Sequence, residues 1–96
     1  MVMTPDDTVL NEGGDMTRVV VTAVDSFGQV VPRNNCAVSI TVDGAGDFLG
    51  ESPITLEDGK TAFFVKTRAE QIGDITCSAT GDKIEGARAR IVVVRQ

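Results

Sequence analysis

Hydrophobic residues in this chain recur at every second position, and nowhere convincingly at the three-and-four spacing of a helix. The clearest run is Thr17 to Val24. Val19, Val21 and Ala23 share one face of an extended ribbon, and Arg18, Val20, Thr22 and Val24 share the other. Its valines and threonines are β-branched and suit a pleated, half-buried strand better than a helix. Asp25-Ser26-Phe27-Gly28 then ends the run: the Asp25 carboxylate can accept a nearby backbone N–H, and Gly28 can take the positive φ of a tight turn.

The same period predicts further strands. Thr8–Leu10 is a short one, and Cys36, Val38, Ile40 and Val42 point inward along a longer one. Phe48–Gly50 forms a short bridge, followed by Ile54 and Leu56 inward. Asp58-Gly59, between two alternating runs, signals a hairpin into Lys60–Thr67. Phe63 and Phe64 are adjacent, so a strand sends them to opposite faces: Phe63 to the core, Phe64 outward with Lys66. Ile75, Cys77 and Ala79 make another inward row, and Ala87, Ala89, Ile91 and Val93 the last. Turns are expected at 11–15, 68–72 and 81–83, with 43–47 breaking the ladder. Val30 to Pro32 reads as extended chain, Pro32 suiting an edge or a crossing between sheets, and 33–35 as loop. Residues 1–7 read as a linker or lead-in, leaving 8–96 as the domain. The pattern predicts an all-β fold, an immunoglobulin-like β-sandwich of about seven strands, with a small barrel as the lesser alternative.

Composition then narrows the chemistry. A chain of 96 residues with 42% hydrophobic content is one ordinary globular domain with a thin core. No 18-residue apolar run is present, and the first residues do not read as a signal peptide, so no membrane insertion is expected. A net charge of −5 argues against nucleic acid as a partner. Cys36 and Cys77 fall on neighbouring inward rows of one predicted sheet, and read as small buried hydrophobes more than as a disulfide. Valine at 21 stands where an immunoglobulin-type bridge to Cys77 would need a cysteine.

The chain holds no His, Tyr or Trp, which removes the commonest general base and many metal sites. Its carboxylates cluster at predicted strand ends, where they serve as local caps. Asp43 and Asp47 flank a glycine loop but lack calcium-loop spacing, and Gly44-Ala45-Gly46 lacks a dinucleotide loop's third glycine. No catalytic residue, metal ligand or cofactor is expected. Four phenylalanines are a meagre supply for stacking sugars, which disfavours direct carbohydrate binding.

Four ordered segments carry a resemblance: Gly14–Val21 with Val24–Gly28, Val42–Gly50, Asp58–Thr67, and Gly73–Ala79. Together they resemble the bacterial Ig-like domains in the C-terminal region of glycoside hydrolase family 2 enzymes of the β-galactosidase type. The second segment, Gly44-Ala45-Gly46-Asp47-Phe48-Leu49-Gly50, is similar to that family's Gly-x-Gly-x-hydrophobic-hydrophobic-Gly loop. The first and fourth also occur in invasin- and intimin-like adhesin repeats, which is the alternative. The resemblance implies a non-catalytic accessory domain, a spacer or a docking and oligomerisation module, whose partners are the other domains of its parent chain. Phe64 and Lys66 are the candidate docking residues; Asp25, Gly28, Gly44, Gly46 and Gly59 are the candidate turn builders.

Overall fold

The computed structural model describes residues 1–31, 35–81 and 84–95. The expectations for Pro32, for the loop at 33–34 and for the tip of the turn at 82–83 lie outside the described residues. The strands are β1 (Val2–Pro5), β2 (Val9–Asn11), β3 (Met16–Thr22), β4 (Ala37–Gly44), β5 (Gly46–Leu49), β6 (Ile54–Thr55), β7 (Lys60–Thr67), β8 (Gly73–Gly81) and β9 (Ile84–Val94). They form two sheets, β1-β3-β7-β5 and β2-β9-β8-β4-β6. All pairs are antiparallel except β2 with β9. The order, with the opening segment split between the two sheets, is that of an immunoglobulin-like sandwich.

The alternation read from the chain is the alternation of the core. Val19, Val21 and Ala23 from one sheet, and Val38, Ile75, Cys77, Ala79 and Ile91 from the other, are buried. Leu56 and Val65 are fully buried as well. Phe63 is buried and tilts against Phe48 with ring centroids 5.4 Å apart, a favourable aromatic geometry. Cys77 is a buried free thiol. Its burial pushes the thiol pKa up to about 11, because a thiolate loses its hydration there.

Three expectations need correction. The segment read as linker is a strand: Val2–Pro5 pairs with Val19–Thr22, and Met3 is buried. Its short Val-Met-Thr-Pro run, next to two aspartates, is too brief to show periodicity. The break expected over 43–47 narrows to a single residue. β4 runs through Gly44, β5 starts at Gly46, and the chain changes sheets across Ala45 alone. Lastly, Asp58-Gly59 forms the expected two-residue turn, with φ 51° and 85°. The flanking runs nevertheless share only one bridge, Glu57 to Lys60, because β6 pairs with β4 while β7 pairs with β3. A two-residue turn fixes only its own closing pair; which strands the arms join is decided by the sheets they bury against.

Candidate docking surface

Strand β7 alternates in burial along its whole length, so Phe63 and Val65 face inward while Ala62, Phe64 and Lys66 face out. The ladder sets what flanks them. Phe64 lies between Arg18 of β3 and Leu49 of β5, Lys66 between Met16 and Asp47, and Ala62 beside Val20. Met16, Leu49 and Phe64 are exposed at 49%, 38% and 43% of their surface. Leu49 is the cross-strand neighbour of Phe64 and Met16 lies diagonally from it, with the charged Arg18 and Lys66 at the other two corners, so the ring stands on a mixed face with apolar company on one side. Charges border it. Arg18 holds Asp6 across the β1 side through its Nε at 3.0 Å.

The opposite outer face is of another character. Its rows across β4, β8 and β9 are Thr41-Ser78-Arg88 and Asp43-Thr76-Arg90, and Arg90 pairs with Asp74 at 2.8 Å. Hydroxyls and ion pairs dominate these rows, while Val9 beside Val92, with Val94, leaves an apolar strip at the β2 end of the same face, Val9 and Val94 being 56% and 39% exposed.

The remaining candidate residues lie elsewhere. Asp25 Oδ1 accepts from the backbone N–H of Phe27 and Gln29 at 2.9 and 3.0 Å, and Gly28 sits at φ 79°. Gly44 (φ 102°) and Gly46 flank the sheet change. A Cβ on Gly44 would lie 2.1 Å from the Asp74 carbonyl oxygen, and one on Gly46 2.5 Å from Ile75 Cδ1. Gly59, at φ 85°, passes Val31 so closely that a Cβ would lie 2.3 Å from its carbonyl oxygen. The structure thus brings Phe64 and Lys66 together on one face and distributes the turn residues over three separate corners.

Residues 1–90 match the family model described as glycoside hydrolase family 2 C-terminal domain 5. The chain belongs to this family. A β-galactosidase of Thermoanaerobacter pseudethanolicus (strain ATCC 33223 / 39E) is similar to this family 2 domain, 44% identical over 62 residues, covering 65% of this chain and 8% of the relative. A β-galactosidase of Rhizobium radiobacter is 32% identical over 76 residues, covering 78% of this chain and 54% of the relative. The chain therefore spans about half of one of these relatives and a small fraction of the other. Among solved structures, a family 2 glycosyl hydrolase from Bacteroides cellulosilyticus superimposes with a TM-score of 0.91 at 17% identity, covering 97% of this chain and 14% of that one. The ZirS C-terminal domain shares the fold more loosely, at a TM-score of 0.60 and 21% identity over 96% of this chain and 64% of that one.

Two residues to which the sequence pattern assigns no role organise one end of the family 2 domain. Arg68 spans the sheet change: its Nη1 donates to the Gly44 carbonyl and its Nη2 to the Gly46 carbonyl, each at 3.2 Å. Its Nε meets Asp47 Oδ2 at 3.0 Å, and Nη2 also pairs with Asp47 Oδ1. The Arg68 hydrogen bond holds the Asp47 carboxyl below its ordinary pKa, so the carboxylate beside the glycine loop is occupied by a guanidinium. The other residue is Thr67, whose buried hydroxyl ties down the turn at 11–15. An arginine just after a strand and a threonine at its last inward position were the available signals. Neither has meaning until the glycine loop and the turn are known to lie beside them.

Proposed function

We propose that this domain is a non-catalytic accessory module of a longer glycoside hydrolase with β-galactosidase-type activity. It docks through the Phe64–Lys66 face onto another domain of the same chain. The observation that carries the reading is family membership together with the half-exposed Phe64 ring beside Leu49 on the open face of β7. The chain's content supports the non-catalytic part, since it lacks histidine, Asp25 caps its own turn, and Asp6, Asp47 and Asp74 are held by arginines. Asp25, Gly28, Gly44, Gly46 and Gly59 then act as builders of turns and crossings, not as site residues. Spacer and docking roles merge here, because a module that packs on its neighbour also sets the distance between the parts it joins. An adhesin repeat is the weaker reading, as the similar curated proteins bear the name β-galactosidase.

The deciding experiment compares the 96-residue chain with the full-length parent on a nitrophenyl β-galactoside. Turnover is expected from the parent and none from the chain alone. Hydrolysis by the isolated chain overturns the accessory assignment, and a parent inactive on β-galactosides overturns the activity class.

A further inference from the structure

The face that carries Phe64 also carries a cation that the domain does not neutralise. Arg18 is paired with Asp6, and both carboxylate oxygens of Asp47 are engaged by Arg68. Lys66 stands in register between Met16 and Asp47, facing the same way as Phe64, and forms no ion pair among the described residues. Asp15, next to Met16 in the chain, is no substitute: its carboxylate oxygens accept from the backbone N–H groups of Asn11 and Met16 at 3.1 and 2.9 Å. The carboxylates of the residues flanking Lys66 are therefore already committed elsewhere.

An ammonium in water is stabilised by its hydration. Covering Phe64 strips part of that water from Lys66, one side chain further along the same strand face, and a covered ammonium without an acceptor is strongly unfavourable. The acceptor has to come from whatever covers the ring. We infer that the surface of the parent chain docked on this face presents a carboxylate to Lys66, beside the apolar ground that receives Phe64 and Leu49. The inference rests on the docking reading above and adds the chemistry of the partner. The same charges argue against a second copy of this chain bound through the same face. Two-fold pairing sets a patch against itself, so each Lys66 would meet cations and the copy's Asp6 and Asp47, which arginines already hold. In the 44%-identical Thermoanaerobacter β-galactosidase the matched stretch is 8% of the chain, so there it is joined to a far larger remainder.

The test places a thiol on the face without touching its charges. Ala62→Cys, at an exposed outward position of β7, is introduced into the isolated chain and into the full-length parent. Maleimide labelling at position 62 is followed by peptide mass, and the chain-to-parent ratio of rates cancels any effect of nearby charge on the thiol itself. Docking is expected to give a ratio of about ten or more at low salt, since the reagent must wait for the face to open. With a carboxylate opposite Lys66, Lys66→Glu should bring the ratio close to one, and Lys66→Met should lower it less. Raising sodium chloride from about 0.05 to 0.5 M should also lower it when Lys66 is present, through screening. An unchanged urea midpoint of the isolated Lys66→Glu chain supports a loss of docking as the cause. A ratio that neither salt nor Lys66→Glu moves overturns the carboxylate and leaves the docking reading standing. A ratio of one before any change at Lys66 overturns both. Protection that grows with protein concentration overturns the choice of occupant and assigns the face to a second copy.

Discussion

Thr67 shows how one hydroxyl can decide the placement of a turn. It occupies an inward position at the end of β7, is 4% exposed, and accepts from the backbone N–H of Gly14 and Asp15 at 3.0 and 2.9 Å while donating to the Asn11 carbonyl at 2.8 Å. Thr67→Val keeps the shape and strands those backbone groups, so a loss of about 2–3 kcal/mol is expected, with Thr67→Ser costing far less. Urea unfolding of both variants checks this, and equal midpoints would contradict it. Cys77 supplies a pH-dependent counterpart. Its pKa is raised from about 9 to about 11 by burial, so the native state favours the neutral thiol. The associated stability is complete below about pH 9 and is lost as pH rises toward 11, where the unfolded chain ionises first. The wild-type urea midpoint should therefore fall faster over that window than the Cys77→Ala midpoint, and alkylation at pH 8 should require unfolding. Parallel pH profiles would show that the thiol is not desolvated.

At the scale of elements, the alternating strands were legible because a period of two is a local property, and burial of one face enforces it. The crossing from β4 to β5 was not. Asp43–Asp47 reads as a break in the ladder, yet it holds a one-residue step between sheets, packed against Asp74 and Ile75 and bridged by Arg68. Long-range closeness of this kind leaves only glycine in the local sequence. The difference is measurable. Gly28 has positive φ but open space around its missing Cβ, so Gly28→Val should cost only backbone strain, about 1–2 kcal/mol. Gln29→Val should cost less than Gly28→Val. Gly44→Ala meets strain and a carbonyl oxygen together and should cost clearly more than Gly28→Val, despite its smaller side chain. Thermal unfolding ranks the three; a harmless Gly44→Ala would mean that the step is loose. The strand at Val2–Pro5 was missed for a related reason, since its pairing with β3 shows only once β3 has a free edge.

For the whole molecule, both outer faces mix charged and apolar residues, and the candidate site was legible only in part. Strand phase alone sent Phe64 outward, but its company, Arg18 and Leu49 alongside and Met16 beside Lys66, comes from register between strands distant in sequence. The Leu49 and Met16 part of that company favours docking, because a half-exposed ring gains most when apolar neighbours are covered with it. Phe64→Ser should then leave the isolated domain folded at a cost below about 1.5 kcal/mol, while Phe63→Ala, which empties the core beside Phe48, should cost about 3–5 kcal/mol. In the full-length parent the order of consequences should reverse for function. Phe64→Ser should accelerate hydrogen exchange or tryptic cleavage at the junction with this domain, without altering exchange inside its β8–β9 ladder. Severe unfolding of the isolated Phe64→Ser domain would make Phe64 a core residue and remove the docking face. An unchanged junction in the parent would leave the apolar face without a partner there, and the spacer role would have to rest on the sandwich's length alone.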